Sequence, residues 1–225
     1  MAAKSDLRLV IGNKAYSSWS LRPWLLLRES GIPFQEILIP LYQADSPRQI
    51  RERSPSGRVP ALLDGGATIW DSLAICEYVA EKFPDAKGWP EGPLARAIAR
   101  SVSAEMHSGF SAVRSELPMN VRGRRSGVTP SDTARAEIDR ILEIWSDCRR
   151  RFGADGTFLF GRFGIADAMY APVVTRFHTY GVELTGAVRD YAEAVQALPS
   201  LKEWTKAGQA EAAVITASER GTPVA

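Results

Sequence analysis

The order in which strand and helix signals alternate, and then stop alternating, constrains this chain most. Residues 7–11 form a short apolar run closed by Gly12-Asn13, a strand with its punctuation. Residues 21–30 follow helical spacing and are stopped by Gly31, with Pro33 just beyond. Residues 34–39 alternate in strand fashion with Ile37 and Ile39 on one face, and residues 46–53 form a short polar helix. Val59-Pro60-Ala61-Leu62-Leu63 and Thr68-Ile69-Trp70 are short strands joined through Asp64-Gly65-Gly66, a hairpin turn. From Asp71 the pattern turns helical, with Leu73, Cys76, Ala80 and Phe83 on one face, and Phe83-Pro84 ends it. A strand–helix–strand unit implies a parallel pair with a right-handed crossover, and the hairpin then adds antiparallel strands. Residues 1–84 therefore read as a small α/β domain.

Residues 85–93 carry Gly88, Pro90, Gly92 and Pro93 and read as a linker. Beyond it no strand signal is convincing, and residues 94–225 read as an all-helical domain. Ile98, Val102, Met106, Gly109, Val113 and Leu117 keep helical spacing through a helix over 93–117. Ile138, Ile141, Leu142, Trp145, Cys148 and Phe152 do the same, and residues 166–180, 189–198 and 201–207 supply further helices.

The chain has 225 residues, 45% of them hydrophobic, enough for one large core or two modest ones. A formal net charge of +2 gives no footing for nucleic acid, whose binders carry a clustered and strongly basic footprint. The local cluster Arg122, Arg124 and Arg125 reads as a solvated loop. Cys76 and Cys148 fall in helical apolar patterns without metal-ligand or CxxC spacing, so both read as reduced core residues and no metal site is expected. No apolar run approaches the roughly 18 residues of a membrane span, and the polar N-terminus has no apolar leader core. The expectation is a soluble cytoplasmic protein.

Chemistry concentrates at the strand–helix junctions. Tyr16-Ser17-Ser18-Trp19-Ser20-Leu21-Arg22-Pro23 places hydroxyls at a helix N-terminus, where free N–H groups and the helix dipole favour anions. The run holds no cysteine, so a thiol reacting there must arrive with a ligand, which points to glutathione. In Ser56-Gly57-Arg58-Val59-Pro60-Ala61-Leu62 the proline enters a strand and belongs at an edge, bulge or turn. Such a turn leaves the Val59 N–H and C=O free to pair with an extended peptide; the alternative is an ordinary loop proline. Asp71-Ser72 opens the next helix, either as a cap or as a grip on a ligand's α-amino and α-carboxyl groups.

On these motifs, together with Asp71-Ser72-Leu73-Ala74-Ile75, the chain resembles the cytosolic glutathione transferases over nearly its whole length. The resemblance implies a thioredoxin-like N-terminal domain followed by an all-helical one, glutathione as co-substrate, detoxification chemistry and a homodimer. It implies a cis Val59–Pro60 bond, with Val59 pairing with the cysteinyl backbone of glutathione and Asp71 and Ser72 holding its γ-glutamyl end. Ser18, Trp19, Arg58 and Pro60 complete the expected glutathione contacts. The first motif is closest to serine-type members, especially the zeta class with its Ser-Ser-Cys-Ser run. By that match Ser17 is the thiolate-stabilising hydroxyl; Ser18 fits the theta spacing back from Arg22, and Tyr16 matches classes that use a tyrosine. Trp19 replaces the zeta cysteine, which counts against zeta isomerase chemistry and against disulfide exchange.

In Gly161-Arg162-Phe163-Gly164-Ile165-Ala166-Asp167, Gly164 stands where the family has Ser or Thr, so half of a capping box is missing and Asp167 takes a folding role. A small hydrophobic electrophile is expected against the helix over 93–117, with Met106, His107, Phe110, Val113 and Arg114 as candidate lining; the alternative for the apolar ones is core. The leading expectation is a glutathione S-transferase. The alternatives are a zeta-like cis-trans isomerase and a non-catalytic glutathione-binding or regulatory member.

Overall fold

The computed structural model describes residues 6–224. The polar segment before them, read above as lacking a leader core, lies outside the described residues. Strand β1 (Arg8–Ile11) leads through a tight loop into α1 (Ser18–Glu29), then β2 (Gln35–Leu38), α2 (Ser46–Arg51), β3 (Ala61–Asp64), β4 (Ala67–Trp70) and α3 (Ser72–Lys82). The sheet order is β2-β1-β3-β4: β1 and β2 run parallel, with Leu9 opposite Glu36, and β3 lies antiparallel to β1, with Leu9 opposite Leu62. The β3–β4 hairpin closes through Gly65 at φ 57°, a left-handed turn position open to glycine. The parallel pair and added hairpin are those expected from the signal order, and the whole is the thioredoxin-like arrangement that the resemblance implies.

Alternation along β1 divides the core. Leu9 and Ile11 join the large cluster under α1 and α3, while Val10 packs with Ile39, Ile50 and Ala61 beneath α2. Helix α1 starts three residues before the expected one, because Ser17 caps it. It is buried on every side, from Ser18 and Ser20 through Leu27, as only a helix between two layers can be.

The helical part comprises α4 (Pro93–Ser108), α5 (Ser111–Glu116), α6 (Asp132–Phe152), α7 (Ile165–Tyr180), α8 (Gly186–Ala197) and α9 (Pro199–Ala210). Its centre is α7, buried along nearly its whole length and packed against α1. Trp145 of α6 packs edge-to-face with Tyr170 and Tyr191 and at a tilt against Phe177. Cys76 and Cys148 are free and buried, as expected. No helix among the described residues is long and apolar enough to cross a membrane.

Three expectations about this half change. The single helix over 93–117 is broken: Gly109 is extended and Phe110 left-handed (φ 59°), so α4 and α5 are separate. A Cβ on Gly109 would lie 2.9 Å from the Glu105 carbonyl oxygen, so the break is built around glycine. A short ladder also exists, β5 (Arg125–Ser126) against β6 (Thr222–Pro223). The basic loop is not simply solvated: Arg122 Nη2 donates to the carbonyls of Glu211 (2.6 Å) and Ala213 (2.7 Å), and Arg125 pairs with Glu219. It anchors the chain's own C-terminal segment.

Asp167 takes the folding role expected of it, accepting from the N–H groups of Leu159 (3.0 Å) and Gly164 (2.9 Å). The missing box residue now has a cause. A Cβ at Gly164 would sit 2.9 Å from the Gly88 carbonyl, which itself accepts from the Ile165 N–H. Gly164→Ser therefore lowers the melting temperature, by overpacking of about 1–3 kcal/mol, although it restores the usual capping residue; differential scanning calorimetry checks the sign.

Candidate functional site

The loop between β1 and α1 is folded by its own polar groups. The Asn13 carbonyl accepts from the N–H groups of Tyr16 (3.1 Å) and Ser17 (2.8 Å), and Asn13 Oδ1 accepts from Leu41 N–H (2.7 Å). Glu211, just past α9, accepts from the N–H groups of Lys14 (2.7 Å) and Ala15 (3.0 Å). The hydroxyls are thereby fixed at the start of α1. Ser17 Oγ accepts from Ser20 N–H (3.4 Å) and donates to Ser20 Oγ (2.8 Å), which also accepts from Gly12 N–H (3.1 Å). The Ser18 hydroxyl has no partner among the described residues. The Tyr16 hydroxyl donates to Glu219 Oε1 (2.5 Å), so the C-terminal segment holds it.

These residues open into a cleft. A cavity of about 530 Å³ is lined by Tyr16, Ser17, Ser18 and Trp19 at the α1 start, Tyr42 and Ser46 on the α2 side, and Arg114, Met119 and Arg176 on the helical side. A second cavity of about 380 Å³ adjoins it, sharing Trp19, Arg58 and Val59 and ending at Pro60, Asp71, Ser72 and His107. Every residue expected to contact glutathione thus lines one or both of these two cavities. The Val59–Pro60 bond is cis, and the Val59 N–H and C=O make no hydrogen bond among the described residues. Asp71 Oδ1 caps α3, accepting from Leu73 N–H (2.9 Å) and Ala74 N–H (3.3 Å), with its backbone at φ 76°. A non-glycine residue in that region is uncommon and is concentrated at functional sites.

Cations outnumber acids in this cleft. Arg22, 1% exposed, donates from Nη1 to Ser72 Oγ (3.3 Å) and lies 4.3 Å from the Trp19 ring centroid; Arg114 lies 4.9 Å from the same ring. Burial, then Arg114 and Arg176, pull the Arg22 guanidinium down to about 9. His107 meets the edge of Trp19 at 5.3 Å and pairs through Nε2 with Asp71 Oδ2 (3.2 Å). Burial holds its imidazole below the ordinary range against the opposing pull of Asp71.

Of the expected electrophile-site residues, Arg114 and His107 face the cleft, whereas Met106, Phe110 and Val113 are buried in the main core. Sequence reasoning missed Arg176, Met119, Ile215 and Ser218, which line the larger cavity. Arg176 did leave a signal, a cation inside an otherwise apolar helix. The described residues hold no His, Cys, Asp and Glu group able to bind a metal ion.

A thioredoxin-like half, a helical half and a hydroxyl-bearing cleft between them define a two-layer α/β-plus-helical protein. Family models agree: "Glutathione S-transferase, N-terminal domain" matches residues 16–82 and "Glutathione S-transferase, C-terminal domain" matches 96–207. The chain belongs to the glutathione S-transferase family. It is similar to a maleylacetoacetate isomerase of Rattus norvegicus, 28% identical over 177 residues covering 75% of this chain and 76% of the relative. It is also similar to a stringent starvation protein A homolog of Haemophilus ducreyi, 23% identical over 163 residues and 72% of each chain. The fold matches a glutathione transferase homolog of Burkholderia GL BGR1, solved with bound glutathione, at TM-score 0.67 and 24% identity over 92% of this chain and 100% of that one.

Glu219 ties the C-terminal segment to Tyr16, Arg125 and, through Asn120 Nδ2 (3.1 Å), to the helical half. Glu219→Ala is expected to loosen the segment carrying Ile215 and Ser218, read as at least about tenfold faster hydrogen exchange at the backbone amides of positions 218 and 219.

Proposed function

We propose that this protein is a glutathione transferase that ionises the glutathione thiol with the Ser17 hydroxyl for attack on a small electrophile. One observation carries the reading: the capped N-terminus of α1 opens into a cleft edged by the unpaired Val59 backbone and ended by Asp71 and Ser72. Val59 offers its N–H and C=O to the cysteinyl backbone as an added strand. Asp71 and Ser72 hold the γ-glutamyl end at the start of α3, and Arg58 and Trp19 flank the peptide.

Ser17 is favoured over Ser18 by its hydrogen-bond chain. In the protein alone its proton is donated to Ser20 Oγ. Rotation of both hydroxyls reverses that 2.8 Å bond without moving a heavy atom: Ser20 donates to Ser17, and Ser17 donates to the sulfur. Donors from Gly12 N–H to Ser20 and from Ser20 N–H to Ser17 polarise the chain in the required direction. A thiol has a reference pKa of about 8.5. One hydrogen bond to a charged acceptor contributes about 1.5–3 kcal/mol, and the helix dipole adds up to about 2 kcal/mol in a partly buried site. Together these suffice to make the thiol largely ionised at neutral pH, so no general base is required.

The unpartnered Ser18 hydroxyl supports a second reading in which it faces the sulfur. The isomerase relative supports a glutathione-dependent isomerase, against which Trp19 stands. A homodimer and a cytoplasmic location are family-level expectations.

Ser17→Ala is expected to lower turnover at least about tenfold, equivalent to about 1.4 kcal/mol, and to raise the pKa of bound glutathione in a thiolate-absorbance titration. Ser20→Ala should give a smaller effect of the same sign. A Ser18→Ala variant that loses the thiolate band while Ser17→Ala keeps it would reverse the assignment. No retention on a glutathione column would favour a regulatory member.

A further inference from the structure

We propose that the face of α7 turned away from the cleft carries a second ligand site, for a small phosphorylated sugar or polyol. The site is independent of the transferase reading. A cavity of about 270 Å³ lies between α7, α9, the end of α8 and the loop that follows α5. None of its lining residues lines either cavity of the cleft. Helical spacing produces the division: Thr175, His178 and Thr179 share one face of α7, whereas Arg176 lines the cleft from another. On α9, Lys202 and Lys206 stand one turn apart and line the same outer cavity.

The charge around this cavity is one-sided. Arg124, His178, Lys202 and Lys206 line it, all four exposed, with no aspartate or glutamate among the described lining residues. Surface cations elsewhere hold acids, as Arg48 holds Asp45 (2.7 Å) and Arg140 holds Glu105 (2.8 Å). The side chains of Arg124, Lys202 and Lys206 make no ion pair or hydrogen bond among the described residues. Glu203, beside Lys202 in sequence, is turned to Arg28 (2.8 Å). Of the three loop arginines, Arg122 and Arg125 are committed to the C-terminal segment, which leaves Arg124. Its guanidinium lies against the end of α7, where a Cβ on Gly181 would sit 3.3 Å from Nη2. Partial burial, and then Arg124, hold the His178 imidazole below its ordinary range. An anion bound among these groups relieves their repulsion, and a phosphate has three oxygens to share among several cations.

The buried floor decides what the anion is attached to. Thr175 and Thr179, 7% and 2% exposed, donate their hydroxyl protons to the carbonyls of Pro172 (2.8 Å) and Asn120 (2.8 Å). Toward the cavity these oxygens therefore only accept. Sulfate has no proton to give them, whereas a sugar or polyol hydroxyl does. Cations at an exposed rim and acceptors at a buried floor together select a ligand with an anionic end and a hydroxyl-bearing end. The cavity is smaller than the roughly 300 Å³ at which pockets for drug-sized ligands begin, so it suits a molecule of monosaccharide size.

Isothermal titration at about 0.15 M ionic strength, where distant attraction between exposed charges is largely screened, tests the site. Glucose 6-phosphate and glycerol 3-phosphate are compared with glucose, inorganic phosphate and sulfate. The better of the two esters is expected to bind at least about tenfold tighter than each of the other three, because only an ester engages both rim and floor. Arg124→Gln, and Lys202→Gln combined with Lys206→Gln, should each weaken it at least about tenfold, the scale of one charge-assisted hydrogen bond. These side chains are exposed and outside the cleft, so glutathione affinity is expected to stay unchanged. The chain has two histidines, which makes imidazole NMR a site-specific readout. The His178 pKa is expected to rise when the ester binds, because a nearby phosphate favours the imidazolium, while His107 in the cleft is unmoved. Phosphate or sulfate binding as tightly as the esters would overturn the proposal, since the floor would then contribute nothing. So would an ester that moves the His107 signal and leaves His178 in place, because it would then occupy the glutathione cleft. Absence of binding by both esters at millimolar concentration rejects the site.

Discussion

The burial of α1 on all its sides is the constraint on which the rest of this structure depends. Its residues from Leu21 to Leu27 have no solvent face, because the sheet and α3 cover one side and α7 and α9 the other. A helix of this kind cannot be stable within either half alone, so the α/β and helical layers are held together by the element they share. The consequence for chemistry is positional. The α1 N-terminus emerges at the seam between the layers, where a cleft is unavoidable and where backbone N–H groups and dipole are least screened by water.

The same seam explains the polar architecture around it. Glu211 occupies the free N–H groups of Lys14 and Ala15, Trp204 Nε1 donates to the Lys14 carbonyl (2.8 Å), and the Gly208 backbone packs so closely that a Cβ there would lie 2.9 Å from Ala15 N. The loop that presents the hydroxyls is therefore clamped by residues almost two hundred positions away in sequence. Preorganisation of this kind matters because a hydroxyl whose oxygen is already fixed has only its proton to turn when an anion forms beside it.

What could be read from the sequence follows the range of the forces involved. Caps, turns and strand alternation act over a few residues, so the Ser17 junction, the Val59-Pro60 entry and the Asp71-Ser72 helix start were legible, as was the Asp167 half-box. The break at Gly109 and Phe110 was not, because the apolar spacing continues through it and only the approach to the Glu105 carbonyl demands glycine. Met106, Phe110 and Val113 lie on an apolar face, and periodicity cannot distinguish a face turned to the core from one turned to a cleft. Arg176 and the C-terminal segment reach the site only through tertiary packing.

Trp19 gives these observations a common electrostatic sense. Where the zeta run carries cysteine, this chain places a ring whose surroundings include both Arg22 and Arg114. An aromatic face attracts each guanidinium by about 0.5–2 kcal/mol, which offsets part of their mutual repulsion without neutralising either. A carboxylate in the same place would hold the arginines more strongly but would cancel their field in the cleft. An indole keeps both the position and the field, so the positive potential remains available to anions that arrive as ligands.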